Sequence, residues 1–505
     1  MIVVMKKYTS YILTFFLYCI TLYVATQCRY PEIDEIYFTD ASANLVLNGS
    51  WESHILFSQF FYQPLHAFLL IPWMALFGVS HFAVCGFGVF LGFLTCVFLV
   101  HFVKSLRLST TIWQELLLAV SFWGFNTFTD YETFGRPDNL GMLITLFVIY
   151  QYLKYPSIQF WKSVLLGILL VLVGLYEIPV MAIFFSIMII LKFKDWHNII
   201  LWVRKGLWFL CGLLIGEGIV FLLFFYNKAN SLLGYVKYSF GMASSSNSVF
   251  SRLLDGYSTN WYMTAIFVVL VAIIVYKKIS VSKVITILIV LIPALMVLAG
   301  RYLPYYAWIY YIPLCVYTIY YMRAYKALAA FFSISFVVSS VVFFATQWYT
   351  TYGCQTGTIG ELEIIKKECH SFFESNKNLI SEYDNVVLSE EQLYYDVINT
   401  GALVWFQYRK NISHKLDFYN FERMNRSISK GESKIEKYRK APTYGFFVNH
   451  YLKYNDNPPY FPEKGLCVYM CEMEKSTSLN FLRHFGYNYK CLKDNGKCSI
   501  YMFSK

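Results

Sequence analysis

Long apolar runs separated by short polar connections fill the chain up to about residue 347, and a polar, mixed-charge stretch follows. Each run approaches the roughly 20 residues that a transmembrane helix needs. The runs lie at 11–26, 82–103, 112–129, 139–153, 162–176, 178–191, 206–226, 260–276, 283–300, 304–321 and 326–346. This pattern predicts a polytopic α-helical membrane protein with about eleven spans.

The composition supports this interpretation. Hydrophobic residues make up 57% of the 505 residues and charged residues 14%, against about 25% charged in ordinary soluble domains. A soluble enzyme of this composition would expose too much apolar surface. The net charge of +11 does not indicate nucleic acid, because most basic residues before 347 lie in short connections between apolar runs, as the positive-inside rule places them.

The first apolar run resembles a signal peptide, since Lys6 and Lys7 precede it. Its flank at 27–30 lacks a small-x-small cleavage site, and many spans follow, so we interpret it as a retained anchor. The N-terminus is then cytoplasmic, and residues 28–61 form an external loop.

A further apolar stretch at 62–78 decides the topology. Counted as a twelfth span, it would invert every later loop. If it instead lies along the outer interface as a helix, every basic cluster is cytoplasmic and the acidic loops and the C-terminal domain face outward. The external charged residues are then Asp34, Glu35, Asp40, Asp130, Glu132, Arg136, Asp138 and Arg301.

Three patches of sequence combine charged residues with a nearby proline. The first is the external loop with its acidic pair, followed by a Pro-containing helix: Ile33-Asp34-Glu35-Ile36 with Gln63-Pro64-Leu65-His66. The other two combine an arginine with a proline before a span: Gly135-Arg136-Pro137-Asp138 and Gly300-Arg301-Tyr302-Leu303-Pro304. These patches resemble the GT-C glycosyltransferases, which include the dolichyl-phosphate-mannose protein mannosyltransferases and the bacterial lipid A aminoarabinose transferases.

This resemblance implies a GT-C-like transmembrane catalytic domain at 1–346, followed by an external soluble domain at 347–505. It implies transfer of a sugar, hexosyl or pentosyl, from a polyprenyl-phosphate donor to a glycan, lipid or protein acceptor, with inversion. The expected location is the bacterial inner membrane, with the active site and the C-terminal domain outside. The enzyme would be similar to a mannosyltransferase, and it would modify a cell envelope glycan.

The chemistry of such a transfer assigns roles to the charged residues. A carboxylate must accept the proton of the acceptor hydroxyl; Asp34, next to Glu35, is the first choice and Asp138 the second. A guanidinium suits the leaving phosphate, which indicates Arg301, with the adjacent Tyr302, and Arg136 as donor-binding residues.

Each assignment has an alternative. Asp34 is also suited to capping a short loop helix, Asp138 to N-capping the span that begins at Asn139, and Arg301 to anchoring a span at the interface. Glu217 lies within an apolar span, where a carboxylate is costly, so a proton-coupled transporter or lipid flippase is the alternative function.

The sequence predicts no zinc site, because His54, His66 and His81 lack metal-ligand spacing. Some members of the resembled family use a divalent metal, so the acidic cluster remains a possible site for one. No other cofactor is expected. The expected partners are the lipid-linked donor, the acceptor and membrane lipids, without nucleic acid.

The polar C-terminal stretch reads as α/β. Residues 385–389 are typical of a buried strand followed by a helix, and Asp494-Asn495-Gly496 indicates a hairpin turn. Of the twelve cysteines, six lie in this stretch, an even number that suits an oxidising exterior. Cys491 and Cys498 flank the turn, so a hairpin would place their thiols opposite each other.

Overall fold

A computed structural model describes most of the N-terminal half of the chain and parts of the C-terminal polar stretch. The described residues are 2–28, 31, 33–49, 63–108, 111–130, 135–155, 159–174, 199–226, 338, 360–388, 393–406, 463–469, 487–496 and 498–505.

The N-terminal half is helical throughout its described residues. Its helices are α1 (Ile2–Cys28), α2 (Ile33–Asn48), α3 (Pro64–Phe77), α4 (His81–Ser105), α5 (Ile112–Asp130), α6 (Asp138–Lys154), α7 (Phe160–Val173) and α8 (Ile199–Val220). A π-helical turn, Phe221–Phe225, extends α8. Helices therefore occupy most of the predicted spans at 11–26, 82–103, 112–129, 139–153, 162–176 and 206–226, of which 175–176 lie outside the described residues.

Among the described residues, two helical stretches are long and apolar enough to cross a membrane, His81–Ser105 and Val203–Phe224. Three shorter apolar helical stretches accompany them, Tyr8–Tyr23, Pro64–Phe77 and Phe160–Val173. The predicted spans at 178–191, 260–276, 283–300, 304–321 and 326–346 lie outside the described residues, so the total of eleven stays a prediction.

Helix α4 is the centre of the first helices and packs against α1, α5 and α6. Polar side chains join the helices at intervals along this apolar interface. Trp123 donates a hydrogen bond to the Thr21 hydroxyl at 2.8 Å, and the Asn139 amide donates to the Gly88 carbonyl at 3.1 Å. Such bonds satisfy polar groups that an apolar surrounding would otherwise leave unpaired.

Helices α7 and α8 pack in parallel through small residues. A Cβ built at Gly212 would lie 2.2 Å from the Val164 carbonyl oxygen, and one built at Gly167 would lie 2.5 Å from that of Phe209. Gly212 and Gly216 form a small-xxx-small pattern, which lets membrane helices approach closely. The parallel direction of two sequential helices is what an intervening span at 178–191 would require.

Basic side chains gather at one end of the helices. Lys104 forms an ion pair with Glu115 at 3.1 Å and lies 5.8 Å from the Tyr11 ring centroid. Lys154, at the end of α6, contacts Tyr150, and the Tyr150 hydroxyl is 3.4 Å from His101 of α4. Lys104 and Lys154 thus lie in the last turns of α4 and α6; the membrane topology stays a prediction.

The opposite end holds α2 and α3, which contact each other. The predicted helix at 62–78 is present as α3, with Pro64 at its start and Pro72 inside it. Proline is well tolerated at the first helical position, because the missing N–H has no partner there in any case. That α3 lies along the membrane interface stays a prediction.

The described residues of the C-terminal stretch form helices α9 (Gly360–Ser381) and α10 (Tyr394–Ile398) and five strands. The strands are β1 (Asn385–Leu388), β2 (Leu403–Phe406), β3 (Lys464–Tyr469), β4 (Asn488–Asp494) and β5 (Ser499–Ser504). They form one mixed sheet in the order β2-β1-β3-β5-β4. β1 is parallel to β2 and β3, whereas β5 is antiparallel to β3 and β4. The predicted strand at 385–389 and the terminal hairpin are both present; the domain boundary at 346/347 remains a prediction.

The expected pairing of Cys491 with Cys498 is wrong. Both thiols are free, and Cys491 lies opposite Tyr501 in the β4–β5 register. The turn at Asn495 and Gly496 and an irregularity between Cys491 and Lys493 set this register, so Cys498 stands at the turn while Cys491 lies further along the strand. Cys498 is buried and Cys491 exposed.

One hydrophobic core joins the N-terminal helices to the C-terminal stretch. It contains Ile36 of α2, Leu70 of α3 and Phe87 of α4 together with Tyr394 of α10 and Leu466 of β3. Burial of apolar area is the main favourable contribution to folding. The C-terminal stretch is therefore packed against α2, α3 and the first half of α4.

Candidate functional site

The first turns of α2 lie against the segment that precedes α6. Glu35 is fully buried, and its Oε1 accepts a hydrogen bond from the backbone N–H of Gly135 at 2.9 Å. A Cβ at Gly135 would lie 2.7 Å from the Glu35 Cβ and 2.8 Å from Val84 Cγ1. Position 135 therefore requires glycine because helix α2 approaches the backbone there.

Arg136 and Asp138 form a buried ion pair beside this contact. Arg136 Nε donates to Asp138 Oδ2 at 2.9 Å, and the two side chains are 6% and 2% exposed. The Arg136 guanidinium carbon also lies 5.1 Å from the ring centroid of Phe38 on α2, a cation–π distance. The guanidinium is thus held by an acid on one helix and a ring on another.

The alternative assignment of Asp138 as an N-cap is wrong. The N-cap position of α6 is Pro137, and Asp138 is the first residue of the helix. Proline fixes φ and has no side-chain oxygen, so it starts the helix without capping it. The Asp138 carboxylate turns to Arg136 instead.

Two adjacent tyrosines of α10 reach α2 from the C-terminal stretch. The Tyr394 hydroxyl donates a hydrogen bond to Asp40 Oδ1, and the Tyr395 hydroxyl lies 3.0 Å from Thr39 Oγ1. Burial first, and then the charge of Asp40, raise the pKa of Tyr394 well above 10.0. Burial first, and then the charge of Glu35, raise the pKa of Tyr395 likewise. Both hydroxyls therefore stay protonated at physiological pH.

His66, on α3, also lies close to Phe38. Its ring is 6.5 Å from that of Phe38 and 5.4 Å from that of Phe87, and only 1% of the residue is exposed. Among the described residues, its Nε2 and the Oε1 of nearby Gln63 are buried side-chain atoms without a hydrogen-bond partner. Burial lowers the pKa of His66 from 6.5 to about 3, so the imidazole is neutral.

The structure brings together three of the residues predicted for the site: Glu35, Arg136 and Asp138. For Asp34 it describes the backbone, at the second position of α2. Arg301 and Tyr302 lie outside the described residues, so their roles stay predictions.

Several residues of this cluster had no role in the sequence prediction. Asp40 belongs to the acidic set of the first loop, and its spacing of four residues from Ile36 is the signal that could have placed both on one helix face. Tyr394 and Tyr395 carry no comparable signal, because nothing local relates them to a helix about 350 residues earlier. His66 was considered as a metal ligand and not as a member of the site.

Glu217, the residue behind the transporter alternative, is not part of this cluster. It is exposed on α8, next to Gly216, which lies against Val171 of α7. Its surroundings are exposed apolar side chains such as Leu214.

One group in the described part of the chain has the spacing of metal ligands. His370 and Glu374 of α9 and Asp396 of α10 place ligand atoms within 4.8 Å of one another. The His370–Asp396 ion pair at 3.4 Å accounts for part of this proximity, and His370 and Glu374 are exposed. This group is separate from the Glu35–Arg136–Asp138 cluster.

The cluster around α2 combines the groups that proton transfer and phosphate binding need. Charges act strongly on one another in a poorly hydrated interior. Carboxylates can accept a proton from a hydroxyl, and a guanidinium can bind phosphate oxygens. A fixed acid–arginine pair is preorganised, because its geometry does not have to form when the ligand arrives.

Comparison with protein-family models gives no match, and comparison with curated proteins gives none either. Among solved structures, the chain is similar to the crystal structure of ArnT from Cupriavidus metallidurans bound to undecaprenyl phosphate, with a TM-score of 0.56, 11% identity and 97% of each chain covered. It is also similar to ArnT from the same organism in the apo state, with a TM-score of 0.54, 12% identity and the same coverage. ArnT is a lipid A aminoarabinose transferase with the GT-C fold, and the chain shares that polytopic fold, so the resemblance drawn from the sequence is confirmed for the fold.

Proposed function

We propose that the protein is a membrane glycosyltransferase that transfers a sugar from a polyprenyl-phosphate donor to an acceptor hydroxyl. The observation that supports this most directly is the buried cluster of Glu35, Arg136 and Asp138 at one end of the helices. The cluster lies in a chain with the fold of ArnT, whose crystal structure contains undecaprenyl phosphate. That ligand belongs to the class of lipid phosphate that a polyprenyl donor releases.

In the proposed reaction, a carboxylate takes the proton of the acceptor hydroxyl, and the hydroxyl oxygen attacks the anomeric carbon of the sugar. The bond from that carbon to the phosphate oxygen breaks, and its electron pair leaves with the polyprenyl phosphate. Attack opposite the leaving group inverts the anomeric carbon. Asp34 is the proposed base, with Asp138 and Glu35 as the other acids of the site.

Arg136 supports the leaving-group end of this reaction. Asp138 and Phe38 hold its guanidinium in place, so it can contribute positive charge without reorganising. Arg301 and Tyr302 are the second proposed group at the donor phosphate. An ion pair with so little solvent is costly to build, which agrees with a role in binding a charged ligand.

We place the active site, and the C-terminal domain at 347–505, on the external face of a bacterial inner membrane. The contacts of Tyr394 and Tyr395 with α2 support a common side for both. A glycan, a lipid or a protein of the cell envelope would be the acceptor. A divalent metal would be held by the carboxylates of this acidic cluster; the proposed reaction is written without one.

The test is transfer by purified protein in nanodiscs, with radiolabelled undecaprenyl-phosphate sugars as donors and an extract of envelope glycans and lipids as acceptors. The protein is expected to release undecaprenyl phosphate only when an acceptor is present. Asp34→Asn keeps the shape and removes the base, so transfer is expected to fall by about 10²-fold or more.

The matched control is Glu374→Gln, which also replaces an acid by its amide but at an exposed position of α9. It should transfer at the parental rate. Near-normal turnover of Asp34→Asn would move the base to Asp138 or Glu35. The transporter or flippase would be favoured if two results were found together. The parent protein would consume no donor, and it would move a lipid or solute in response to a proton gradient in a way that Glu217→Gln abolishes.

A further inference from the structure

The C-terminal stretch touches the candidate site through the adjacent pair Tyr394 and Tyr395. The side chains of this pair are 0% and 4% exposed, and their rings meet edge-on, with centroids 4.9 Å apart and an interplanar angle of 82°. Each hydroxyl binds a different residue of α2, Asp40 and Thr39. Two neighbouring residues of one helix are thus bound by two neighbouring residues of another.

This double contact restricts the rotation of α2 about its own axis. A single hydrogen bond would leave a helix free to turn around it, whereas two bonds about 100° apart on the helix surface do not. Glu35 lies four residues before Thr39, on the same face and one turn away. The Tyr395–Thr39 bond therefore helps to hold the face from which Glu35 reaches Gly135.

A third contact fixes α10 against the N-terminal helices. The Asn399 side chain donates to the Val79 carbonyl at 2.7 Å, in the turn that joins α3 to α4. Gly78, just before it, has φ +83°, so the turn has a defined shape to which Asn399 can bind. Helix α10 therefore contacts both α2 and the start of α4.

We propose that Tyr394 and Tyr395 are positioning residues of the candidate active site, through which the C-terminal stretch sets the orientation of the acidic helix α2. This inference rests on the proposed function for its catalytic consequence. The C-terminal stretch is on this view a part of the catalytic unit.

The two hydroxyls suit this role chemically. Both remain protonated at physiological pH, so Tyr394 is a permanent donor to the Asp40 carboxylate. Hydrogen bonds to charged groups contribute more than those between neutral groups, and a buried acceptor that loses its donor bears the cost of its desolvation. Removing one hydroxyl therefore acts on α2 directly.

The experiment compares Tyr394→Phe and Tyr395→Phe with Tyr501→Phe, a buried tyrosine of β5 that lies in the sheet. For each full-length variant in nanodiscs, kcat and KM for the lipid-linked donor are measured per folded molecule, and hydrogen exchange is followed over α2. The first two variants should lose about tenfold or more in kcat, with KM little changed and with faster exchange at 33–48. Tyr501→Phe should change neither quantity.

Thr39, the partner of Tyr395 in its hydrogen bond, provides a second test of the same contact. Thr39→Val keeps the shape and loses the hydroxyl, and Thr39→Ser keeps the hydroxyl. Thr39→Val should reproduce the effect of Tyr395→Phe on kcat. The double variant Thr39→Val with Tyr395→Phe should lose little more kcat than either single variant, because both substitutions remove the same hydrogen bond. Thr39→Ser should retain most of the parental kcat.

Parental kcat and parental exchange over α2 in both tyrosine variants would overturn the proposal, as would equal effects in Tyr501→Phe. Failure of the proposed function gives a different result. If the parent protein transfers no sugar, the hydrogen-exchange comparison still decides whether these tyrosines hold α2.

Discussion

Glu35 accepts a hydrogen bond from the backbone N–H of Gly135, 100 residues later in the chain, at 2.9 Å. This contact joins the first turn of α2 to the segment that carries Arg136 and Asp138. It places an acid and an acid–arginine pair in one buried region, and it is possible only because residue 135 has no side chain.

Gly135→Ala tests that close approach. The new Cβ would lie 2.7 Å from the Glu35 Cβ, so α2 or the 135–138 segment must shift, at a cost of about 1–3 kcal/mol of stability. The thermal unfolding temperature in detergent and the transfer rate should both fall. Gly218→Ala is the control, since a Cβ there meets nothing within 4 Å; equal losses in the two variants would show that the contact at Gly135 is unimportant.

Arg301 tests the phosphate end of the site. Lysine keeps the charge but lacks the planar fork that binds two phosphate oxygens, so Arg301→Lys should weaken donor binding and Arg301→Ala should weaken it more. The measurements are KM for the lipid-linked donor and kcat. Parental values in both variants would identify Arg301 as an interfacial anchor and leave Arg136 as the phosphate-binding residue.

His66 predicts a dependence of stability on pH. Its pKa is about 3 in the folded protein against 6.5 normally, so the unfolded chain binds the proton more tightly between these values. Stability from this group is complete above about pH 6.5 and is lost as the pH falls, by about 2 kcal/mol at pH 5. The phenylalanine of His66→Phe has no titratable group. Between pH 7 and pH 5, the unfolding temperature of the parent protein should therefore fall further than that of His66→Phe. Parallel curves for the two proteins would contradict the prediction.

The topology can be tested with fusions and with a thiol probe. Helix α4 runs from the turn bound by Asn399 to Lys104, and its 25 residues extend about 37 Å. A reporter after Lys104 should therefore be cytoplasmic and one after Lys505 external. Finding both reporters on the same side would refute the predicted topology.

A membrane-impermeant maleimide should label exposed Cys491 in intact cells, and Cys491→Ser is the control.

The apolar runs were enough to locate the described helices at the predicted spans and α3, because a helix in an apolar environment must satisfy its backbone internally and its side chains must be apolar. Helix α2 lies in the predicted external loop at 28–61, which no apolar run marks. The acidic pair of the first loop and the Arg-Pro-Asp segment likewise indicated a site through their resemblance to the GT-C family. These features depend on residues that are close in sequence, so local patterns contain them.

The tertiary structure decided which of these groups meet. The contacts of Cys491 with Tyr501 rather than Cys498, of Arg136 with Phe38 and of Tyr394 with Asp40 each depend on how elements pack. Periodicity assigns a residue to a face, and packing determines what that face contacts. Contacts between residues 100 or 354 positions apart arise from the shared core, whose shape no local stretch of sequence specifies.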